Sequence, residues 1–336
     1  VTDVVLEPTA VVAGGAALAR DAGGRVVFVE GALPGERVRA RLTEAKRDFA
    51  RAVAVEVLAP SPDRVAPPCP ALAAGCGGCT WQHVSAEAQG RLKADIVVDA
   101  LRRIARLADP PRPAIWPSAG PPLRTTARLA VTADGRAGHR PRGAPGDAVG
   151  TDTCLVAHPL LEELVVAGRY PGAEEILLRV GVASGERVAL VRSGARAVRV
   201  PPDVTVVQEG DRRPAFVHEE VAGRSFRVSA ASFFQPGPAA AEALVAAVRA
   251  AVGDALPAGG LLVDAYAGVG LFASVLGAAR GARVVAVESD PHAVADARAN
   301  LADLGARVVA GEVGRWRPAK GEAGVDVMIA DPSRPG

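Results

Sequence analysis

Three of the four cysteines in this 336-residue chain fall within eleven positions, in the stretch CPALAAGCGGC from Cys69 to Cys79. Six residues separate Cys69 from Cys76, two separate Cys76 from Cys79, and Cys154 follows 75 positions later. Four thiolates are the donor set of a tetrahedral zinc site or of an iron–sulfur cluster, and spacing alone does not choose between them. Gly77 and Gly78 allow the backbone to fold tightly round such a metal and to turn amides toward sulfur. Buried core cysteines are the competing reading, and it suits Cys154 taken alone better than it suits the trio.

A second constellation lies in VDAYAGVGLFA, where Gly268 and Gly270 sit between an apolar strand and a helix. Glycines there permit a tight turn and a close backbone approach by a ligand. Glu288 lies eighteen residues beyond Gly270, at the tip of the next strand, where an acid takes both ribose hydroxyls of a nucleoside. The pattern reads G-x-G-x-x-A through Ala273, so NAD and S-adenosylmethionine both stay open, and a helix-packing turn is the plainer alternative. Two features favour S-adenosylmethionine. Asp264, four residues before Gly268, is placed to reach a charged amino-acid end. Asp331-Pro332 closes the fourth apolar strand, where a methyltransferase meets its target base; out of that context Asp331 reads as a cap or turn residue.

The elements that must hold these residues follow from periodicity. Residues 1–60 alternate with period two at Val26–Val29 and Val38–Leu42, broken by turns at Gly23-Gly24 and Leu33-Pro34-Gly35, which predicts a small barrel. APSPDRVAPPCP then reads as a stiff linker. Ser85 is expected to cap a helix whose apolar face carries Ile96, Val97, Ala100, Leu101 and Ile104. To about residue 230 an antiparallel sheet is expected, with a hairpin turning at Ser184-Gly185. Beyond it, helices alternate with the apolar strands LLVDA, VVAVES, RVVA and VDVMIAD, which predicts a parallel sheet covered on both faces.

Composition sets the outer bounds. Hydrophobic residues make up 49% and charged residues 23%, an ordinary globular balance, and a net charge of +2 leaves no overall field for a polyanion. No apolar run reaches the ~18 residues of a membrane span, and no secretory leader is legible. A cytoplasmic monomer is the expectation, and reduced thiols there favour metal ligands over disulfides. Any nucleic-acid surface must then be local. Arg37, Arg39 and Arg41 share one strand face suited to phosphates, with Lys46, Arg47 and Arg51 following and Phe49 as a candidate stacking ring. An ordinary solvated face is the alternative. Trp81 and His83 read as packing residues, and His139 and Arg140 as either RNA contacts or loop residues.

The chain resembles the RNA uracil-C5 methyltransferases, and the likeness runs along its whole length. CPALAAGCGGCTWQH is similar to their cluster-binding stretch, VVFVEGALPGERVRARL to their N-terminal TRAM domain, and TDTCLVAHPLL to the segment with the fourth cluster cysteine. The resemblance thus implies a [4Fe-4S] cluster on Cys69, Cys76, Cys79 and Cys154. SAASFFQPGPAAAEAL resembles the stretch whose glutamine contacts S-adenosylmethionine, which implies Gln235. LLVDAYAGVGLFA implies Tyr266, Gly268 and Gly270 beside that cofactor, VVAVESDPHAVADARANL implies Glu288, and ADPSRPG implies Asp331. Arg124 and Arg128, in PPLRTTARLAV, resemble a stretch near the RNA path.

The implied organisation is a TRAM/OB-like RNA-binding barrel over 1–60, a central mixed domain with the cysteine site over 61–230, and a Rossmann-like class I methyltransferase domain over 231–336, incomplete after its fourth strand. The implied activity is methyl transfer to C5 of a uridine in ribosomal or transfer RNA, with ribosomal RNA favoured. Two departures stand out. Ser333 replaces the second proline of the family's D-P-P-R. The family's cysteine nucleophile and general base, found downstream of that motif, are not in this sequence, so residues 1–336 are expected to be an inactive fragment with VDVMIAD as an exposed edge. A non-catalytic RNA-binding iron–sulfur protein and an NAD-dependent oxidoreductase with a zinc ribbon are the rival readings.

Overall fold

A computed structural model describes residues 2–116, 120, 124–142, 147–195, 197–211, 213–320, 322 and 324–332. The chain forms two compact units, Val1–Pro117 and Ser118–Gly336.

The first unit is built on one six-stranded sheet: β1 (Asp3–Leu6), β2 (Ala10–Val11), β3 (Ala17–Arg20), β4 (Val26–Glu30), β5 (Arg37–Ala45) and β6 (Phe49–Ala59), in the order β1-β5-β6-β4-β3-β2. All neighbours are antiparallel except β4 and β6. Alternate residues of five strands, among them Leu6, Ala19, Val29, Val38 and Ala52, meet in one buried cluster. Small side chains dominate it, and three register shifts between β5 and β6 add the bend that lets the sheet curl round so thin a core. β1 and β2 stand at the two ends of the strand order yet are consecutive in the chain, so one kinked stretch pairs with β5 on one side and β3 on the other and closes the sheet into the expected barrel.

The stretch expected as a free linker is fastened to this sheet. Glu36 is buried and accepts the amides of Leu33 (2.8 Å) and Ser61 (3.2 Å), and Arg64 pairs with both its oxygens. Burying that carboxylate is tolerable only because each oxygen is answered. Residues 61–64 are thereby pinned, and the cysteine segment belongs to the first unit. That segment carries a single helical turn, α1 (Pro70–Ala73), followed by α2 (Ala86–Arg103), which Ser85 caps through the amide of Ala88. The helix starts where its sequence predicts, but its face differs. Ala88, Leu92 and Ala94 are buried, whereas Val97 and Ile104 are 44% and 77% exposed, because the core contacts lie under the first half.

The second unit begins with β7 (Thr126–Val131), β8 (Ala137–His139), β9 (Val149–Gly150), α3 (Pro159–Val166), β10 (Glu175–Val180), β11 (Arg187–Arg192) and β12 (Val204–Gln208). The sheet order is β12-β11-β10-β7-β8-β9, with β10 and β11 forming the expected hairpin and β12 joining parallel to β11. A separate hairpin follows, β13 (Phe216–Val221) and β14 (Arg224–Ser229). Then come α4 (Pro238–Val252), β15 (Leu261–Ala265), α5 (Leu271–Arg280), β16 (Arg283–Glu288), α6 (Pro291–Asn300), β17 (Arg307–Ala310) and β18 (Val327–Ala330). One core joins Val188 and Val207 of the first sheet, Phe226 of the hairpin, Val245 of α4 and Val275 of α5. The division expected at residue 230 therefore runs through continuous packing rather than along a seam.

β15 to β18 form a parallel sheet in the order β17-β16-β15-β18. Both of its faces are covered, as expected, but by different kinds of element. Helices α4, α5 and α6 all pack on the face carrying Leu262, Val284 and Ala286. On the other face Leu261, Val263, Val285 and Val287 meet Val313, Trp316 and Val325, which lie in no α-helix. Right-handed crossovers explain the asymmetry. Two successive steps outward from β15 to β17 put α5 and α6 on one side, and only the return from β17 to β18 crosses the other. β18 is an edge strand among the described residues, with Met328 half exposed.

Candidate functional site

Strand order reverses at β15, since β16 lies on one side of it and β18 on the other. A crevice opens at the carboxyl ends of strands flanking such a point. The structure has a cavity of about 870 Å³ there. Gln235, Tyr266, Gly268, Glu288 and Asp331 all line it, joined by Phe233, Phe234, Ser289, Asp290 and Pro332.

The turn after β15 is built for close approach. Tyr266, Gly268 and Gly270 all have positive φ, at 64°, 56° and 88°. A side chain at Gly268 would meet nothing within 4 Å, so its absence leaves free space beside the cavity, whereas one at Gly270 would press on Leu301 at 3.1 Å. Tyr266 has no such excuse. A tyrosine in the left-handed region carries backbone strain, here at a residue that lines the cavity. Gly268 donates its amide to Glu288 Oε2 at 2.8 Å, and the amides of Ser289 (2.6 Å) and Asp290 (2.8 Å) donate to Oε1. The carboxylate is thus fixed at the tip of β16 with its remaining lone pairs available.

Two predicted residues sit beneath the cavity rather than in its lining. Gly270 is the N-cap of α5 and has no side chain to bond the helix's first amides. Asp264, 1% exposed, takes that role by accepting the amide of Ala273 at 2.9 Å. Burial pushes the Asp264 carboxyl up to about 7, with Asp331 and Glu288 adding to the rise and the Ala273 amide opposing it. The expected reach of Asp264 to a ligand's charged end is therefore replaced by a cap on α5.

A polar strut behind the cavity wall escaped the sequence reading. Asp296 on α6 is fully buried and accepts Ser229 N (2.7 Å), Ser229 Oγ (2.7 Å) and Ser232 Oγ (2.6 Å). Asn300, one turn on, accepts the amide of Arg227 and donates to the carbonyls of Arg227 and Val269. These bonds hold the chain that runs on into Phe233–Gln235. Their signal was present in the spacing: Ala293, Asp296, Ala297 and Asn300 share one helix face with small partners.

In the first unit, burial pushes the Cys76 thiol up, the neighbouring Cys79 and Cys69 push it further, and the Gly78 amide opposes them. The three residues thus stand within electrostatic reach of one another, Cys69 before α1 and Cys76 and Cys79 after it. Cys69 also caps α1 and donates its amide to Gln82. Three soft donors with an amide turned to sulfur suit a thiophilic metal, although no three described His, Cys, Asp or Glu side chains stand in a ligating arrangement. None of the four cysteines is in a disulfide. Cys154, in the second unit, packs partly buried against its core and donates its amide to Glu162.

Arg37, Arg39 and Arg41 do share the outer face of β5, but each has an acid beside it: Glu7 at 3.9 Å, Glu56 at 2.9 Å and Asp3 at 3.1 Å. Lys46 pairs with Glu44 at 2.9 Å, and Arg128 lies 3.8 Å from Glu175. Arg124 is exposed and bonds its amide to Val156; burial lowers the His139 pKa and the Arg124 charge lowers it further. Trp81 packs as expected, donating to the Gly15 carbonyl at 2.9 Å. Ser333 and Arg334 lie outside the described residues.

Comparison with known proteins now bears on this geometry. A TRAM domain is matched over residues 3–55. An RNA methyltransferase of Streptomyces avermitilis is 39% identical, the alignment covering 96% of this chain and 81% of that protein. The 23S rRNA (uracil(1939)-C(5))-methyltransferase RlmD of Methylococcus capsulatus is 35% identical over 84% of this chain and 70% of its own length. The chain belongs to the RNA methyltransferase family related to the uracil-C5 enzymes. The fold of this RNA methyltransferase is shared with the Pyrococcus abyssi tRNA (uracil-54, C5)-methyltransferase, solved in complex with S-adenosyl-L-homocysteine. The likeness has a TM-score of 0.68 at 21% identity and covers 98% of this chain and 83% of that one. No described helix is long and apolar enough to cross a membrane. Nothing in these relatives supports reading the chain as inactive.

Proposed function

We propose that the cavity binds S-adenosylmethionine and that the protein methylates C5 of a uridine in RNA, with ribosomal RNA as the substrate. The observation that carries this reading is the meeting of Glu288, Asp331 and Gln235 at one cavity beside a positive-φ glycine turn. Glu288, fixed by three amides, accepts the ribose hydroxyls. Gly268 keeps the wall beside it thin, and Tyr266 supplies a ring at the mouth. Gln235 and Asp331 line the same space, Gln235 for the cofactor and Asp331 where the target base meets it. S-adenosylmethionine supplies an electrophilic methyl group on a sulfonium. Uracil C5 is a poor nucleophile; in the family route a thiolate adds to C6, the resulting C5 enolate takes the methyl and releases S-adenosylhomocysteine, and loss of the C5 proton to a base expels the thiolate. The proposed cluster takes all four cysteines present, so none of them fills that role. The substrate class rests on the 35%-identical relative, named for 23S rRNA.

Calorimetric titration with S-adenosylmethionine tests the cavity. Glu288→Ala is expected to weaken binding by about 1–3 kcal/mol, the scale of a lost charge-assisted hydrogen bond. Unchanged affinity in a folded variant refutes the assignment.

The cysteine trio is proposed to hold an iron–sulfur cluster, with the fourth ligand assigned to Cys154 by the family resemblance. Anaerobically purified protein should be brown, with about four irons per chain. Cys76→Ser and Cys154→Ser should each lose that iron. Stoichiometric zinc without iron would overturn this.

A further inference from the structure

Seven phenylalanines serve this chain, and two of them stand side by side on the wrong face of the first sheet for its core. β3, β4 and β6 turn Ala17, Ala19, Val27, Val29, Ala50 and Ala52 inward. The alternate positions therefore point outward. Register sets Leu18 opposite Phe28, Phe28 opposite Arg51, and Val26 opposite Phe49. The two rings meet edge to face with centroids 6.1 Å apart. The Lys46 ammonium lies 5.1 Å from the Phe49 centroid, and the Arg51 guanidinium lies 5.8 Å and 5.9 Å from the two rings. Both rings are only partly buried, and Lys46 and Arg51 are 60% and 57% exposed.

Charge separates this face from the arginine stripe of β5. There, three arginines stand against three acids of their own. Here Glu44 is shared by Lys46 and Arg51, at 2.9 Å and 3.3 Å. Arg20 and Arg25 add to the rim, the second paired with Asp21, and Glu30 bounds the patch further along β4. Excess cation round partly exposed rings is the chemistry of a surface that stacks bases and holds phosphates. A duplex hides its base faces, so such a surface fits a single strand.

We infer that the Phe28–Phe49 face, with Lys46 and Arg51, is where the first unit holds single-stranded RNA, in place of the Arg37–Arg39–Arg41 stripe. This rests on the proposal that the protein acts on RNA. Fluorescence anisotropy of the full chain with a labelled single-stranded oligouridylate of about twelve nucleotides tests it. Phe28→Ala and Phe49→Ala are each expected to weaken binding about tenfold. Phe49→Leu keeps apolar bulk without the ring, and several-fold weakening is expected there even where the alanine variant folds poorly. Arg51→Gln should flatten the slope of log Kd against log salt by about 0.7, the share of one phosphate on a single strand, while Arg39→Gln stays within about twofold of the parent. If folded ring variants bind as the parent does, the face belongs to some other partner, such as a protein, and the inference fails while RNA binding stands. If the parent chain itself binds no RNA, the RNA reading and the inference fail together.

Discussion

Asp296 is the side chain whose loss should be felt furthest. It has no exposed surface, yet it carries three hydrogen bonds of 2.6–2.7 Å, and Arg227 Nε lies 3.2 Å from its Oδ1, off the line of a good bond. Arg179, buried close by, donates to the Ser232 carbonyl; burial lowers its pKa to about 10, with Asp296 and Glu219 opposing, so it stays charged. In Asp296→Ala both hydroxyls can turn to other acceptors, but the Ser229 amide cannot, and the arginines lose their counter-charge. An unanswered buried amide costs about 1–3 kcal/mol, and a broken buried charge pair about 3–5 kcal/mol in all. We expect a loss of about 3–5 kcal/mol, a large part of the roughly 5–15 kcal/mol a domain has. Asp296→Asn can keep an oxygen on the amide and donate to the rotated Ser229 hydroxyl, so about 1–2 kcal/mol is expected. Urea unfolding of the full chain, followed by fluorescence, measures both. Because Ser232 leads directly into the wall residues Phe233–Gln235, S-adenosylmethionine affinity should fall in the same order. An alanine variant within about 1 kcal/mol of the parent, or an asparagine variant as damaged as the alanine one, would refute the reasoning.

Two further carboxylates predict opposite pH behaviour. Burial raises the Glu36 pKa, but Arg64 and the amides of Leu33 and Ser61 outweigh it and hold the carboxyl below its ordinary 4.5. Its stabilisation is thus present above 4.5 and lost as pH falls through the lower folded value, and Glu36→Gln should cost about 2–4 kcal/mol near neutrality and flatten the acid limb of a pH–stability curve. Asp264 is raised from 3.8 to about 7, so its favourable contribution is complete below 3.8 and is lost as pH rises to about 7. Asp264→Asn keeps an acceptor for Ala273, and unfolding above that pH should show it more stable than the parent by about 1–3 kcal/mol.

What the sequence made legible was local. The strand–glycine–helix turn, the caps at Ser85 and the hairpin at Ser184-Gly185 depend on neighbouring residues, and they appear where their patterns lie. Features set by distant partners did not. Nothing near Arg39 announces Glu56 opposite it, and nothing in APSPDRVAPPCP announces that Ser61 and Arg64 close on Glu36. Cross-strand register decides the first and a buried carboxylate the second. The outer halves of α2 read as core because an apolar stripe says only that a face is able to pack. Asp296 and Asn300 went unremarked because nothing in their own helix shows the open amides of the neighbouring hairpin that make their burial affordable.

The two acids flanking the glycine turn show why the same residue type must be read through the backbone it serves. Asp264 and Glu288 both lie in parallel strands near the cavity, and spacing from the glycines gives each a claim on the ligand. Gly270 separates them. A helix that begins on glycine has no side chain to satisfy its first amides, and the nearest acceptor beneath the turn is Asp264, which takes Ala273 and is withdrawn from the cavity. Glu288 faces no such demand from α5; its amide partners, Gly268, Ser289 and Asp290, fix it at a strand tip that lines the cavity. The glycine that opens α5 thus also determines which of the two acids lines the cavity.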